Sequence, residues 1–328
     1  MVVKGFTGDS NLREYDFKSC CSLCGSLPSQ HTLLIRTHRA FAGYPIRVVI
    51  CRGCGFVFLS PRADPSVYDN YYQSENYENI NNKPFSYRIE KEIDLAEEIF
   101  DFCSDFVKDF LSPIRILDIG AGFGSLLQVF CKKLNGQGMA IELSKQAITY
   151  MVSHFDFRIQ EMNLESLELP EDTFNFVIAS AILEHLNHPY TILMEINRSL
   201  RLGGYLFIRV PDTSFLRFNL LKRQTLSRVF KFVHINYFTT TTLVSMVEMA
   251  GFDVVRVLQH HPRKNASQGE IWMLAKTTKS EGREIQKERW FRVAFRIWFF
   301  SFFAIAISFL IYLTNHILKN MRDLKRSI

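Results

Sequence analysis

Between Ile114 and Lys276 short β-branched runs alternate with amphipathic segments, and this alternation constrains the fold more than any other feature. Strand-like "IRILDIG", "GMAIEL", "FRIQEM", "TFNFVIAS" and "GGYLFIRV" are interleaved with helix-like "SLLQVFCKKL", "SKQAITYMVSHF" and "PYTILMEINRSL". A further helix-like run, "TTTLVSMVEMA", precedes "FDVVRVLQH" and "EIWMLAK", which read as a closing antiparallel pair. Buried strands joined by crossover helices predict an α/β, Rossmann-like doubly wound sheet. In such a sheet a nucleotide-like ligand sits at the turn after the first strand.

That turn reads "LDIGAGFG". Its spacing, Gly120-x-Gly122-x-Gly124, is not the phosphate-binding G-x-G-x-x-G, and no Gly-Lys-Ser/Thr follows, which excludes a P-loop. Asp118 in the leading strand would repel a pyrophosphate, but it can accept a hydrogen bond from an ammonium. Glu142 ends the second strand 18 residues after Gly124 and can take both hydroxyls of a ribose. The loop therefore calls for an adenosine-type ligand with a positive, phosphate-free end.

Near the N-terminus "CSLCG" (Cys21–Gly25) and "CRGCG" (Cys51–Gly55) repeat one device. A Cys-x-x-Cys turn brings two thiolates within about 4 Å, and the following Gly permits positive φ. Cys21, Cys24, Cys51 and Cys54 thus offer a tetrahedral sulfur set for a structural Zn2+, with "HTLLIRT", "YPIRVVI" and "FVFL" as the strands of a zinc ribbon. A pair of redox dithiols is the competing reading, which the duplicated Cys-x-x-Cys-Gly disfavours. Cys20 reads as a bystander. Four thiolates leave no open position, so the site is expected to hold a small domain together.

At the other end, Ile297 to Leu318 holds 22 residues without Lys, Arg, Asp or Glu. As a helix it would span about 33 Å, close to the roughly 30 Å hydrocarbon core of a bilayer. Arg289, Arg292 and Arg296 precede the run and Lys319, Arg322, Lys325 and Arg326 follow it. The expectation is a membrane helix, with a buried core helix or an in-plane anchor as alternatives. The net charge of +6 resides in this tail, where residues 282–328 carry nine Lys/Arg against three acids. The remainder balances, and the first 75 residues carry no marked basic excess, so a nucleic-acid partner is not expected. "MVVKGFTGDSN" lacks the apolar core of a signal peptide. Membrane-associated localisation, with the catalytic part in the cytoplasm, follows as the expectation.

"LDIGAGFGSLL", "GMAIELS", "LELPEDTFNFVIASAILEHLNHP" and "RSLRLGGYLFIRVPD" together resemble a class I S-adenosylmethionine-dependent methyltransferase over about residues 113–277. The resemblance implies a cofactor pocket of Asp118, Gly120, Ala121, Gly122, Gly124, Glu142, Leu143, Asn163, Leu164 and Ser180. In it, Asp118, Gly120 and Gly122 face the methionine moiety and Glu142 the ribose. Asn163 stands where the family usually has an adenine-contacting Asp, and its Oδ1 can still accept from the adenine amino group. "CRGCGFVFLSPRADPSVYDNYYQSENY" and "HINYFTTTTLVSMVEMAGFDVV" resemble zinc-ribbon methyltransferases of bacterial glycan and nucleotide-sugar gene clusters. The sugar C-methyltransferases of that group continue into a further domain, where this chain has its basic, apolar tail.

Methyl transfer to a hydroxyl needs an aligned nucleophile and a proton acceptor. No acidic cluster of the metal-dependent catechol type is evident, and no Asn/Asp-Pro-Pro-Tyr/Phe follows the fourth strand. The catalytic candidates are His185, in "SAILEHLNHP", and His234, in "VHINYF". Either is a general base, or a hydrogen-bonded residue that shapes its loop. Residues 215–234 read as an amphipathic lid with five basic residues, over the acceptor pocket or against an anionic surface or phosphate. Four parts are expected: zinc ribbon and linker (1–75), linking helix (76–112), catalytic domain (113–278) and tail (279–328). The expected function is O-methylation of a sugar hydroxyl in a surface glycan or lipid-linked precursor. Nucleotide-sugar C-methylation and quinone O-methylation are the alternatives. Ribosomal RNA methylation and a non-catalytic binding module rank behind them.

Overall fold

The computed structural model describes residues 20–41, 44–63, 67–68, 85–108, 110, 113–215, 230, 233–260, 269–279, 283–295 and 297. Five strands form the parallel heart of the fold: β4 (Arg115–Ile119), β5 (Gln137–Glu142), β6 (Arg158–Glu161), β7 (Phe174–Ser180) and β8 (Leu200–Asp212). The antiparallel β10 (Phe252–His260) and β11 (Gly269–Thr277) complete a seven-stranded mixed sheet of order β10-β11-β8-β7-β4-β5-β6. Helices α1 (Phe85–Val107), α2 (Ser125–Leu134), α3 (Lys145–His154), α4 (Pro189–Ser199) and α5 (Thr240–Met249) accompany it.

β4 is central, and its residues from Ile116 to Ile119 are all buried. Successive residues point to opposite faces. Leu117 and Ile119 join a core with Val177, Ala179, Ile208 and Leu243, whereas Ile116 joins another with Phe130, Phe176, Phe207 and Phe102 of α1. Strands covered on both faces need continuous apolar runs, which is why "RILDI" and "FNFVIAS" show no alternation.

A second sheet, order β1-β2-β3-β9, is antiparallel throughout and carries the cysteine turns: β1 (His31–Phe41), β2 (Tyr44–Cys51), β3 (Val57–Leu59) and β9 (Asn236–Tyr237). Its fourth strand comes from the far half of the chain. Val57 pairs with Tyr237 and Phe58 with Asn236, and the Leu59 amide donates to the Ile235 carbonyl at 2.8 Å. On its other side the same stretch grips the large sheet. The Ile235 amide donates to the Glu184 carbonyl at 2.7 Å, and Phe238 bridges Asp212 at the end of β8. The Phe56, Phe58 and Phe238 rings fill the seam, Phe56 lying 5.9 Å from Phe58 and 5.3 Å from Phe238. Each such ring contributes roughly 2 kcal/mol on burial. The cysteine-bearing sheet is thus built into the catalytic body.

The tail corrects one expectation. Among the described residues no helix is long and apolar enough to cross a membrane. The run from Trp298 onward lies outside them, so the C-terminal hydrophobic helix is not found and the membrane-associated localisation is set aside. What is described of the tail instead covers the small sheet. The Glu288 amide donates to the Cys54 carbonyl at 3.1 Å, and its carboxylate accepts from Thr239 Oγ1 at 2.6 Å. Val293, Ala294 and Ile297 are buried with Ile50, Val57 and Tyr237. Val293, Ala294 and Ile297 therefore lie in a protein core, while Phe291 and Phe295 are exposed. Most of the lid segment, 216–229 and 231–232, also lies outside the described residues.

Candidate active site

The turn after β4 is built from three left-handed glycines, with φ of 70° at Gly120, 56° at Gly122 and 78° at Gly124. A Cβ at Gly120 would lie 2.5 Å from Ile182 Cδ1, and one at Gly124 would lie 2.9 Å from Met151 Sδ. These two glycines permit close packing of the turn. At Gly122 a Cβ would meet nothing within 4 Å, so there the backbone faces open space. The Gly120 and Ala121 amides donate to the Ile141 carbonyl at 2.8 and 3.1 Å, while the Gly122 amide donates to Glu142 Oε2 at 2.7 Å.

Glu142 Oε1 accepts from the Leu143 and Ser144 amides, both at 2.8 Å. Burial raises the pKa of Glu142, and these three amides pull it back down. Asp118 is 2% exposed. Desolvation, and then the nearby Glu142, hold it well above the usual carboxylate range. Two carboxyls in one dehydrated space favour a cation or a hydrogen-bond donor between them.

The remaining pocket candidates follow neighbouring strand ends. Ser180 ends β7, Leu143 follows β5, and Asn163 caps a short turn over Leu164–Ser166 after β6. Asn163 Oδ1 accepts from the Glu165 amide at 2.9 Å, so it is partly engaged in its own turn. Since β7, β4, β5 and β6 are consecutive in the sheet, all ten candidates fall on one edge.

Glu184 and His185 lie in a single 3-10 turn, Leu183–His185, just past β7 and Ile182. His185 Nδ1 is 2.7 Å from the Val233 carbonyl, which can only accept, so this nitrogen carries the proton and Nε2 holds the lone pair when the ring is neutral. The His185 and His234 rings meet edge to face at 4.8 Å, and His185 Nε2 lies 3.7 Å from Glu184 Oε1. Glu184 is 2% and His234 7% exposed. The two histidines named separately from sequence thus form one group with Glu184.

The four cysteines also converge. Sγ of Cys21 is 3.6 Å from that of Cys54, and Sγ of Cys24 is 3.5 Å from that of Cys51. A tetrahedral zinc with Zn–S of 2.3 Å needs sulfurs about 3.8 Å apart, so the set fits. Gly25 and Gly55 follow with φ of 70° and 81°. Hydrogen bonds from Cys21 lower the Cys24 thiol and bring the Cys51 thiol to about 6, while neighbouring thiols push Cys21 and Cys54 up. Such unequal sharing of protons is what a divalent cation would replace with four thiolates.

Residues 92–257 match the family described as methyltransferase domain. The chain belongs to this family. It carries the methyltransferase domain of that family. The methyltransferase is 25% identical over 126 residues to an uncharacterized methyltransferase of Schizosaccharomyces pombe, covering 34% of this chain and 45% of that protein. It is 30% identical over 105 residues to a ubiquinone biosynthesis O-methyltransferase of Xanthomonas euvesicatoria, covering 30% and 43%. In both cases the alignment spans less than half the relative's length. An S-adenosylmethionine-dependent methyltransferase structure from Archaeoglobus fulgidus is 16% identical, covers 59% of this chain and 100% of that one, and has a TM-score of 0.46. The pocket suits the cofactor on its own chemistry, with a buried carboxyl at Asp118 and open space at Gly122.

Two residues of the methyltransferase escaped the sequence reading. Asn236 Nδ2 donates to the Leu183 and Leu186 carbonyls at 3.0 and 2.7 Å, clamping the turn that carries Glu184 and His185. Buried Arg62 bonds the Asn187 carbonyl and Ser22 Oγ, tying that turn to the first cysteine knuckle. Neither has a local motif; a buried polar residue between apolar neighbours was the only available signal.

Proposed function

We propose that the protein methylates a hydroxyl of a small acceptor. One observation carries this: Glu184, His185 and His234 converge beside Ile182, the side chain that touches the Gly120 turn. S-adenosylmethionine supplies an electrophilic methyl whose carbon passes to the acceptor oxygen, while the C–S electron pair stays on sulfur. In this reading Asp118 receives the ammonium, Glu142 the ribose, and Asn163 the adenine edge. His185 and His234 take charge of the acceptor's proton. Zinc at Cys21, Cys24, Cys51 and Cys54 has a structural part. The partial likeness to ubiquinone biosynthesis O-methyltransferases favours a phenolic or quinol oxygen. A sugar hydroxyl rests on the resemblance to glycan-cluster enzymes alone.

The test is binding followed by turnover. S-adenosylmethionine should bind in the micromolar range by calorimetry, and S-adenosylhomocysteine should form with a panel of catechols, quinols and nucleotide sugars. No binding at millimolar ligand would sink the methyltransferase assignment. Product from a nucleotide sugar with a new C–C bond would replace O- by C-methylation.

A further inference from the structure

We propose that Glu184, His185 and His234 bind a divalent first-row cation, and that this cation holds an acceptor bearing two adjacent oxygens. The inference rests on the methyl-transfer reading for its acceptor, but not for the site itself. One carboxylate oxygen and two imidazole nitrogens lie within 4.8 Å of one another. Around a cation at about 2.1 Å, ligand atoms on adjacent vertices lie about 3.0–3.4 Å apart. His185 Nε2 and Glu184 Oε1 stand at 3.7 Å, and side-chain rotation closes the rest.

Three further observations fit ligation. The Val233 carbonyl binds His185 Nδ1–H, which fixes the ring and turns Nε2 outward, the usual support of a metal-bound imidazole. The scaffold is rigid in the right places: Asn236 clamps both carbonyls flanking the turn, and the Ile235 amide beside His234 is bonded to Glu184's own carbonyl. Glu184 and His234 are buried, and a buried carboxylate is tolerated where it is paired or coordinates a metal. Two imidazoles with one carboxylate suit Zn2+, Mn2+, Fe2+ or Co2+, and three protein ligands leave positions open. An acceptor with vicinal hydroxyls, or a hydroxyl beside a carbonyl, can fill two of them. Coordination lowers the hydroxyl's pKa, so its proton passes to water and the oxygen is presented as the nucleophile. His185 and His234 then act as ligands in place of bases.

The sequence showed no acidic cluster of the catechol type, and none is needed: this set is imidazole-rich and is joined from two segments. The experiment titrates Mn2+ into the full-length protein with zinc retained on its cysteines, and reads free Mn2+ by electron paramagnetic resonance. One Mn2+ per chain is expected. Glu184→Gln and His185→Gln should each weaken it by at least about tenfold, with zinc content unchanged. X-ray absorption at the manganese edge of the unsubstituted protein should show imidazole scattering, a readout no folding defect can mimic. Absence of bound Mn2+ or Co2+ at millimolar metal, or affinity unmoved by both substitutions, overturns the site. Catechol should alter the bound Mn2+ signal and phenol should not; equal responses overturn the acceptor assignment. Calorimetry with S-adenosylmethionine separates the two readings. If S-adenosylmethionine binds but no Mn2+ or Co2+ does, this inference alone fails; if S-adenosylmethionine does not bind, the methyltransferase reading fails.

Discussion

The cofactor edge and the cysteine-bearing sheet are made in opposite ways. At the cofactor edge each group sits within a few residues of its own strand end: Asp118 in β4, Gly120–Gly124 after it, and Glu142 closing β5. Neighbouring strands then need only lie in order. The small sheet and the Glu184–His185–His234 group require segments from both halves of the chain, brought together by two residues of β9. Local chemistry survives in a motif, whereas closure between distant segments leaves only scattered apolar and polar residues behind.

Four measurements put that contrast at risk, from the largest effect downward. On the proposal that the four cysteines hold zinc, Cys51→Ser should abolish its binding and lower the melting temperature by at least about 10 °C, because metal binding to such a set is folding energy. A melting temperature within a degree of the parent would show that the distant closure does not depend on the cysteines. Glu142→Ala strips the acceptor from the Gly122, Leu143 and Ser144 amides. Cofactor affinity should fall about 100-fold, or about 2.7 kcal/mol, by calorimetry.

Asn236→Ala leaves the Leu183 and Leu186 carbonyls without their donor. Urea denaturation should show a loss of about 2 kcal/mol while cofactor affinity stays put, because the pocket residues are elsewhere. If affinity falls in step with stability, the two regions are not separable. The smallest effect is in pH. Asp118 has a raised pKa in the free protein, and an ammonium beside it would lower that pKa. Binding is therefore linked to proton release. Affinity should weaken as pH falls through the raised Asp118 value, by up to about tenfold per unit. Asp118→Asn should flatten the profile.

The legible part of the molecule follows the same division. β4 to β8 could be read because strands buried on both faces must be continuous apolar runs, and "RILDI" and "FNFVIAS" have no other use. The cysteine pairs were legible because a sulfur ligand set leaves a fixed spacing. Asn236 and Arg62 were not, since each acts across the chain on a backbone carbonyl that any residue could provide. The tail misled for a related reason. Apolarity measures a need for burial, and Ile297, the one described residue of the expected span, meets that need against Ile50 and Tyr237.

β9 has a consequence for synthesis. A chain emerging N-terminus first presents β3 long before Tyr237 exists, so the small sheet must wait with one edge open and its thiols exposed. The knuckles can meet a metal early, but the seam of Phe56, Phe58 and Phe238 closes only after β8 has been made. A nascent chain halted before residue 236 should therefore be protease-sensitive within residues 20–63, and one released past residue 240 should not.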